Sequence, residues 1–311
     1  MTAVGALALG TACASTNLED WSFYAPAVRG LAADDQSADL SAVWVGHATV
    51  LLRIGPQRVL TDPNLNGALF VLPRQTPASL EPEELPPIDV AIVSHLHFDH
   101  FDRYTLDRLP ADVPVVFPAD SARYTTNLGR RKAALDAWSS VRVGGLEVTA
   151  VPVAHFGGRY GFDALWNASY TGYVIEGYGR TVFFAGDTGY DPEMFVEIRQ
   201  RFGHIDLALI PIAPYRGDRG NAVHVDPAEA LQIFADVGAE HMMPIHYEAY
   251  YGPFSGMFAP RRKLERLVRA QSLEGRVHAV HTGQRLVLPR RGEAYVIERT
   301  ESDALARQAP R

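Results

Sequence analysis

Short apolar runs, separated by glycine, proline and polar residues, recur along the chain from about residue 40 onwards. In the first third these runs have the length of β-strands, and their order predicts a β meander. Strand-length runs then alternate with a segment of helical character, which is typical of a βαβ unit. The elements predicted here are strands at 42–45, 49–54, 58–63, 90–93 and 113–117 and a helix at 103–109.

The second half of the chain repeats this order. Glycine turns at 144–145 and 177–179 join strand-like runs as in hairpins, and Asp226 is placed to cap a helix that begins at Pro227. We predict strands at 141–143, 146–153, 171–176, 181–185, 207–212, 241–245, 277–280 and 285–288 and helices at 192–202, 227–237 and 260–270. Two similar halves, each with helices on one face of a sheet, predict an α/β fold with four layers in the order αββα.

Three regions differ from the two halves in their pattern. We assign residues 1–40 to a signal-like segment and linker, 41–290 to a single catalytic domain and 291–311 to a C-terminal tail. Within the domain, residues 64–87 have several prolines and little periodicity, which predicts an exposed loop at the wall of a site.

The first residues of the chain predict a targeting segment rather than part of the fold. Residues 3–12 are apolar and too short to span a bilayer, and they resemble the central region of a signal peptide, although no Lys or Arg precedes them. The single cysteine, Cys13, follows an imperfect lipoprotein cleavage box. This favours an exported or membrane-anchored protein, periplasmic or a lipoprotein, over a cytoplasmic one; an unstructured tail is the alternative reading.

Composition and charge remove one class of partner. The chain has 47% hydrophobic and 21% charged residues, which is ordinary for a globular protein with a sizeable core. Its net charge is −7 and it contains no basic tract, so a nucleic acid partner has no electrostatic support. A nucleic acid substrate is therefore not expected, whereas composition leaves both small-molecule and lipid substrates open.

The densest candidate chemistry lies directly after the predicted strand 90–93. The run Ser94-His95-Leu96-His97-Phe98-Asp99-His100 places three imidazoles and one carboxylate within six positions. Neutral imidazole and ionised carboxylate suit Zn²⁺, with Mn or Fe as alternatives. A turn leaving a strand can direct His95 and His97 at one ion and the other two side chains at a second ion. The spacing therefore predicts a site for two metals.

Further ligands are expected at other strand ends, because function in open α/β sheets lies at the carboxyl ends of strands. His155, Asp187 and His246 each follow directly on an apolar strand-like run. A carboxylate can bridge two cations, and Gly186 allows the backbone before Asp187 to approach an ion closely. His47, between two strands, is a candidate to support the ligands from behind. The remaining histidines, His204, His241, His278 and His281, have no comparable context and are predicted to be structural.

These residues resemble the metallo-β-lactamase superfamily, whose His-x-His-x-Asp-His motif is matched by His95, His97, Asp99 and His100. Within it the chain is most similar to the N-acyl-phosphatidylethanolamine-hydrolysing phospholipase D group and its bacterial relatives. The resemblance covers about residues 42–288 and rests on the stretches WVGHATVLLRI, VLTDP, VSHLHFDHFD, AHFGGRY, FFAGDTGYDP, LIPIAPY, HVDPAEAL and PIHYEAY. It implies that the four layers form a metallo-β-lactamase sandwich.

The resemblance also implies roles for individual residues. His95, His97 and His155 would hold one zinc and Asp99, His100 and His246 the second, with Asp187 bridging both. Asp99 and Asp187 would be the catalytic carboxylates, and Asp62 would orient the ligand loop.

Four further positions are assigned to substrate. Arg159 matches a position on the phosphate side of the resembled site, and His224 matches a pocket residue. Phe156 stands where the family usually has tryptophan, and the residues from Tyr247 onwards differ from the family pattern, so these two bear on substrate identity.

The function expected from these residues is that of a di-zinc metallohydrolase with a metal-bridging hydroxide as nucleophile. The resemblance favours a phosphodiesterase of phospholipase D-like type acting on N-acyl phospholipid or a related phosphodiester. A lactone or ester hydrolase on the same metals is one alternative, and a non-catalytic metal-binding protein is another. Phe254, Met257 and Phe258 are candidates for peripheral membrane contact, with a core-anchored loop as the alternative, and analogy with relatives suggests a homodimer.

Overall fold

Two mixed β-sheets pack face to face in the computed structural model of this chain, which describes residues 38–160, 162–215, 220–250, 256–288 and 294–298. The strands are β1 (Leu40–Gly46), β2 (Thr49–Ile54), β3 (Gln57–Thr61), β4 (Ala68–Leu69), β5 (Leu72–Pro73), β6 (Val90–Ile92), β7 (Val115–Pro118), β8 (Lys132–Leu135), β9 (Ser140–Val143), β10 (Leu146–Val151), β11 (Gly172–Gly177), β12 (Arg180–Phe184), β13 (Ile205–Pro211), β14 (Ala239–Ile245), β15 (Arg285–Leu288) and β16 (Val296–Glu298). The helices are α1 (Arg103–Leu106), α2 (Ala122–Thr125), α3 (Pro192–Phe202), α4 (Pro227–Asp236) and α5 (Ala259–Ala270), with 3-10 turns at Pro82–Glu84 and Phe162–Leu165.

The topology brings several strand ends to one edge of the sandwich. The first sheet has eight strands in the order β16-β15-β1-β2-β3-β6-β7-β8, and the second has six in the order β14-β13-β12-β11-β10-β9. Strands β3, β6, β7 and β8 are parallel, as are β12, β13 and β14. Antiparallel β11 separates β10 from β12, so these two run in the same direction and end at the same edge.

Burial along β1 explains why the sheet is covered on both faces. Leu40, Ala42 and Trp44 point into the large core between the sheets, whereas Val43 and Val45 join a second apolar cluster on the outer face. Successive side chains of a strand point to opposite faces, so a strand buried on both faces lies between two layers. Apolar side chains of α3, α4 and α5 extend the large core on the other side. The predicted α/β sandwich with four layers, αββα, is confirmed.

Helices were predicted more closely than strands and loops. Helix α3 has the predicted bounds, and α4 begins at Pro227 with Asp226 accepting hydrogen bonds from the N–H groups of Ala228 and Glu229. The strand predicted at 277–280 is wrong: Val277 forms only an isolated bridge with Met242. The tail predicted from 291 is wrong in part, because β16 extends the first sheet beside β15.

Residues 64–87 are only in part the exposed loop predicted from their prolines: Phe70 and Val71 are exposed, but much of the segment is buried. Leu65 and Leu80 are buried in the outer apolar cluster, and Arg74 and Ser79 are buried as well. Proline ends regular structure without deciding exposure, and the apolar side chains between the prolines still pack against the sheet.

Other predictions fall partly outside the described residues. Residues 1–37, including Cys13, and Phe254 are not among them. Met257 of the same loop is buried and Phe258 immediately precedes α5, which favours the core-anchored reading of this loop. Across the described ranges, no helix is long and apolar enough to cross a bilayer.

Candidate metal centre

The predicted ligand loop leaves β6 and makes a single tight turn. The carbonyl of His97 accepts hydrogen bonds from the N–H groups of His100 and Phe101, at 3.1 and 2.9 Å. Asp102 then caps α1 by accepting from the N–H groups of Tyr104 and Thr105. The turn folds the loop so that its three imidazoles and Asp99 converge on one edge of the sandwich.

A first group of donor atoms consists of His95, His97 and His155, whose ligand-type nitrogens lie within 4.8 Å of one another. Nε2 of His155 is 3.3 Å from Nδ1 of His97. The Nδ1 atom of His155 donates to the carbonyl of Val223 at 2.9 Å, so its Nε2 carries the lone pair. Nε2 of His95 is buried and has no hydrogen-bond partner. Both nitrogens are therefore available to a cation.

A second group consists of Asp99, His100 and His246 together with His47, and the ligand-type atoms of all four lie within 4.8 Å of one another. Nε2 of His246 lies 3.0 Å from Nε2 of His100 and 3.3 Å from Oδ2 of Asp99. The distance from His100 Nε2 to the same Asp99 oxygen is 3.4 Å. Tetrahedral zinc with ligands at about 2.0–2.1 Å places its ligand atoms about 3.3–3.4 Å apart. These separations fit one metal ion.

Asp187 lies between the two groups. Its Oδ2 atom is 3.2 Å from His246 Nε2 and 3.4 Å from His100 Nε2, while its Oδ1 atom is buried without a hydrogen-bond partner. Gly186 makes this approach possible, because its φ is +61° and an added Cβ would lie 2.4 Å from Cβ of Ser94. Asp187 Oδ1 and His95 Nε2 are both buried without a hydrogen-bond partner, and a cation would satisfy such atoms.

Asp62 supports the ligand loop from beneath. Its carboxylate accepts hydrogen bonds from Nδ1 of His100 and from both the N–H and the hydroxyl of Ser94, each at 2.6 Å. The hydroxyl of Ser94 is in turn 2.9 Å from Nδ1 of His95. These contacts leave Nε2 of both imidazoles directed towards the metal groups.

The two donor groups differ in the direction in which the pKa values of their histidines are shifted. Burial lowers the pKa of His95 and of His155, the latter to about 3, so both imidazoles are neutral as metal ligands must be. Burial also opposes protonation of His246, but the carboxylates of Asp187 and Asp99 raise its pKa to about 9. The same competition raises the pKa of His100. These two carboxylates thus require positive charge beside them, which a dication supplies.

The predicted substrate residues divide between the rim and the interior. His224 lies at the rim with Nε2 3.3 Å from Asp187 Oδ2, and the Phe156 ring is 4.6 Å from that of His97. Tyr247 is buried, stacked on Trp44 with ring centroids 4.2 Å apart, and donates to the carbonyl of Val280. Its position is therefore in the core and not in the pocket predicted for it.

Arg159 also differs in position from its expected place beside a phosphate. Its guanidinium donates to the carbonyls of Leu96 and Phe101 at 3.0 and 2.6 Å and lies over the Phe98 ring at 3.9 Å. This placement favours holding the ligand loop over contacting a substrate.

Two supporting residues escaped the sequence reasoning. Asn64 is fully buried and donates from Nδ2 to the carbonyl of Asp99 at 2.7 Å and to the hydroxyl of Tyr250 at 3.0 Å. Tyr250 also meets the His47 ring edge-on. The signal in the sequence is the position of Asn64, a polar residue shortly after the end of β3.

The histidines predicted to be structural lie away from the metal groups. His241 and His278 are paired with each other at 2.9 Å, and His281 contacts Arg261. His204 groups with Asp206 and Glu240 at the amino ends of β13 and β14. Asp206 is already paired with Arg180 at 2.9 Å, which disfavours a cation there.

Two donor groups at the strand ends of an αββα sandwich define a metal-dependent hydrolase of the metallo-β-lactamase fold. Residues 57–247 match the family model described as the beta-lactamase superfamily domain, and the chain belongs to that superfamily.

Relatives of this chain include enzymes with named activities. It is 30% identical over 266 residues to N-acyl-phosphatidylethanolamine-hydrolyzing phospholipase D 1 of Caenorhabditis elegans, covering 78% of this chain and 74% of that protein. It is 32% identical to a UPF0173 metal-dependent hydrolase of Methanosphaerula palustris, covering 67% of this chain and 83% of that protein. Among solved structures, an isothiocyanate hydrolase from Delia radicum gut bacteria aligns with a TM-score of 0.66 at 17% identity, covering 80% of this chain and 99% of that one, and shares the fold.

Proposed function

We propose that the protein is a two-zinc hydrolase that cleaves a phosphodiester bond of phospholipase D type, in an N-acyl phospholipid or a related amphiphilic diester. The observation that carries the two-metal part is Asp187, with one oxygen in the second donor group and the other buried without a partner. When bound, two such ions supply an activated water nucleophile and polarise the oxygen of the scissile group.

Different residues of the chain are assigned to holding the ions and to moving the proton. His95, His97 and His155 would hold one ion, Asp99, His100 and His246 would hold the other, and Asp187 would be shared. The side chain of Asp99 is 24% exposed against 3% for Asp187. We therefore assign Asp99 to accepting and passing on a proton at its carboxylate, since it is the one with access to solvent. Asp187 is assigned to orienting the reacting groups between the ions.

An exposed aromatic rim beside the ligand loop supports an amphiphilic substrate. The rings of Phe70 and Phe98 are 4.3 Å apart, and Tyr160 stacks on Phe162. Phe70, Phe162 and Trp166 are 74%, 66% and 59% exposed. Contiguous exposed apolar surface on a soluble protein commonly marks a binding site. A substrate with an acyl chain has a surface to lie on here, in agreement with the name of the nematode relative.

One observation favours a second candidate, a lactone or ester hydrolase on the same metals. The guanidinium expected to face a phosphate, that of Arg159, is engaged with two backbone carbonyls instead. A neutral substrate has less need of such a cation than a phosphodiester has.

A screen of the zinc-loaded protein separates the candidates. We expect release of N-acylethanolamine from an N-acyl phospholipid and turnover of a chromogenic phosphodiester, with loss of both on chelation and recovery with Zn²⁺. Turnover of acyl lactones or esters with no phosphodiester cleavage would support the second candidate. A protein that binds metal but acts on none of these, with β-lactams included in the screen, would contradict both.

A further inference from the structure

We propose that His47 is a positioning residue for the second donor group, and that it decides whether the second metal position is filled. The inference rests on the two-metal function proposed above. It concerns a side chain that is adjacent to the ligands Asp99, His100 and His246 but belongs to neither predicted ligand set.

The ring of His47 fixes the carboxylate of Asp99. Nε2 of His47 lies 3.0 Å from Oδ2 of Asp99, the same oxygen that faces His100 and His246. A carboxylate accepts hydrogen bonds and does not donate them, so Nε2 of His47 carries the hydrogen. In this hydrogen bond His47 acts as a donor to the predicted ligand Asp99.

The backbone of His47 fixes a second ligand. Its carbonyl accepts a hydrogen bond from the N–H of His246 at 2.9 Å and another from the indole of Trp44 at 2.8 Å. His47 follows β1 of the first sheet, whereas His246 follows β14 of the second. One residue therefore holds a ligand from each sheet, through its ring and its carbonyl respectively.

The conformation of His47 shows that the surrounding structure determines its position. Its φ is +57°, the left-handed region that residues with a Cβ seldom adopt. The ring is buried, 4.0 Å from the ring of His246 and 5.1 Å from that of Tyr250. Such strain costs about 1–3 kcal/mol and is found mainly at functional sites.

The described polar contacts of His47 lead to the second group and to Trp44, and the first group is held separately through Ser94 and Val223. Removal of the His47 ring should therefore lower the affinity for the ion in the second group and leave the affinity for the other ion unchanged. Loss of such an outer hydrogen-bond partner typically costs about 10–100-fold in metal affinity.

The test counts metal ions in the full chain. His47→Gly removes the ring but keeps the carbonyl and suits a positive φ, and His47→Asn also tolerates that φ while its shorter amide falls short of the Nε2 position. His47→Gln keeps an N–H at the reach of Nε2. Each is titrated with Zn²⁺ against a chromogenic chelator and with Co²⁺ followed by visible absorption, and circular dichroism of the metal-free form checks folding.

We expect two ions in the wild type, the second weakened about 10–100-fold in the Gly and Asn variants with the first unchanged, and partial recovery in the Gln variant. His204→Gln is the matched control, because it removes a histidine from the distal group with Asp206 and Glu240 and detects any ion counted there.

Three outcomes overturn the proposal. Two ions with wild-type affinity in the folded Gly and Asn variants would show that His47 does not position the second group. An equal loss of affinity for both ions would show that the effect of His47 is not specific to the second group. A wild type that binds only one ion would overturn the two-metal function itself and this inference with it, which distinguishes the two failures.

Discussion

Asp187 presents its two carboxylate oxygens to different surroundings: Oδ2 lies 3.2 Å from Nε2 of His246, and Oδ1 is buried without a hydrogen-bond partner. A buried, ionised oxygen without a partner is costly unless a cation is bound there. The arrangement suits the bridging role proposed above for Asp187.

Asp187→Asn should remove the bridge while keeping the side-chain shape. The amide offers only one acceptor oxygen, so we expect metal content to fall from two ions per chain to below one. Activity should fall by more than the roughly 10–100-fold that loss of an outer partner costs. Mass spectrometry of metal content and kinetics check this. Asp191→Asn, four residues on at the cap of α3, is the control, since asparagine caps helices nearly as well. Two ions retained in Asp187→Asn would contradict the bridge.

Asp62→Asn should weaken metal binding from outside the ligand set. The amide can accept at one atom only, so one of the contacts to His100 and Ser94 is lost. We expect a fall in Zn²⁺ affinity of about 10–100-fold, measured by chelator competition. Asp89→Asn, which alters a contact to the backbone of Arg58, should leave the affinity unchanged. Wild-type affinity in Asp62→Asn would show that this carboxylate does not orient the ligands.

Arg159→Ala should lower stability without selecting between substrates. Two hydrogen bonds from a charged group are lost, and each is worth about 1.5–3 kcal/mol where desolvated, with less at this half-buried position. Urea unfolding of the zinc-loaded protein measures the loss. Relative kcat/KM for a phosphodiester and a neutral ester should remain constant. A selective loss of phosphodiester turnover would instead place the guanidinium on the substrate.

The exposed rim should matter for long acyl chains alone. Phe162→Ser together with Trp166→Ala should raise KM for a long-chain substrate by roughly five- to thirtyfold, the equivalent of about 1–2 kcal/mol of apolar contact. KM for a short, soluble phosphodiester should not change. Val196→Ser, an exposed apolar residue on α3, is the control. Equal changes in KM for both substrates would show that the rim does not bind the acyl chain.

The distal pair His241 and His278 should make stability depend on pH. Burial, followed by the neighbouring His241, lowers the pKa of His278 to about 3. Between its unfolded value of about 6.5 and this value, only the unfolded chain takes up the proton, so the free energy of unfolding falls as pH falls. His278→Asn should be less stable than wild type at pH 7.5, and the difference should shrink by about 2 kcal/mol at pH 5. Urea unfolding at both values checks this. A constant difference would contradict the lowered pKa.

The sequence predicts which donor side chains lie close together, because metal-ligand chemistry follows from residue type and position at strand ends. His155, Asp187 and His246 come from separate parts of the chain, yet the common edge of the strands brings them together. Side-chain direction is harder to predict. Tyr247 is adjacent to the ligand His246, whose φ of +62° turns the chain just after β14, and the Tyr247 ring stacks on Trp44 in the core.

Contacts with backbone groups cannot be predicted from residue type, because they depend on how the loop folds. The carbonyls of Leu96 and Phe101 become acceptors for Arg159 only once the ligand loop has folded. Asn64 is similar, because its value lies in reaching the carbonyl of Asp99 and the hydroxyl of Tyr250 together. Such contacts form only in the folded turn, so the position of Asn64 after a strand marks a candidate without identifying its partners.

Each proposed metal group draws ligands from both sheets, as His97 and His155 do in the first and His100 and His246 in the second. An ion bound by both sheets is a cross-link whose contribution grows with free metal, about 2.7 kcal/mol at a hundred times the dissociation constant. Metal supply would then govern more than turnover of substrate. A cell short of zinc would hold a protein more open to proteases, so its abundance as well as its activity would follow the metal.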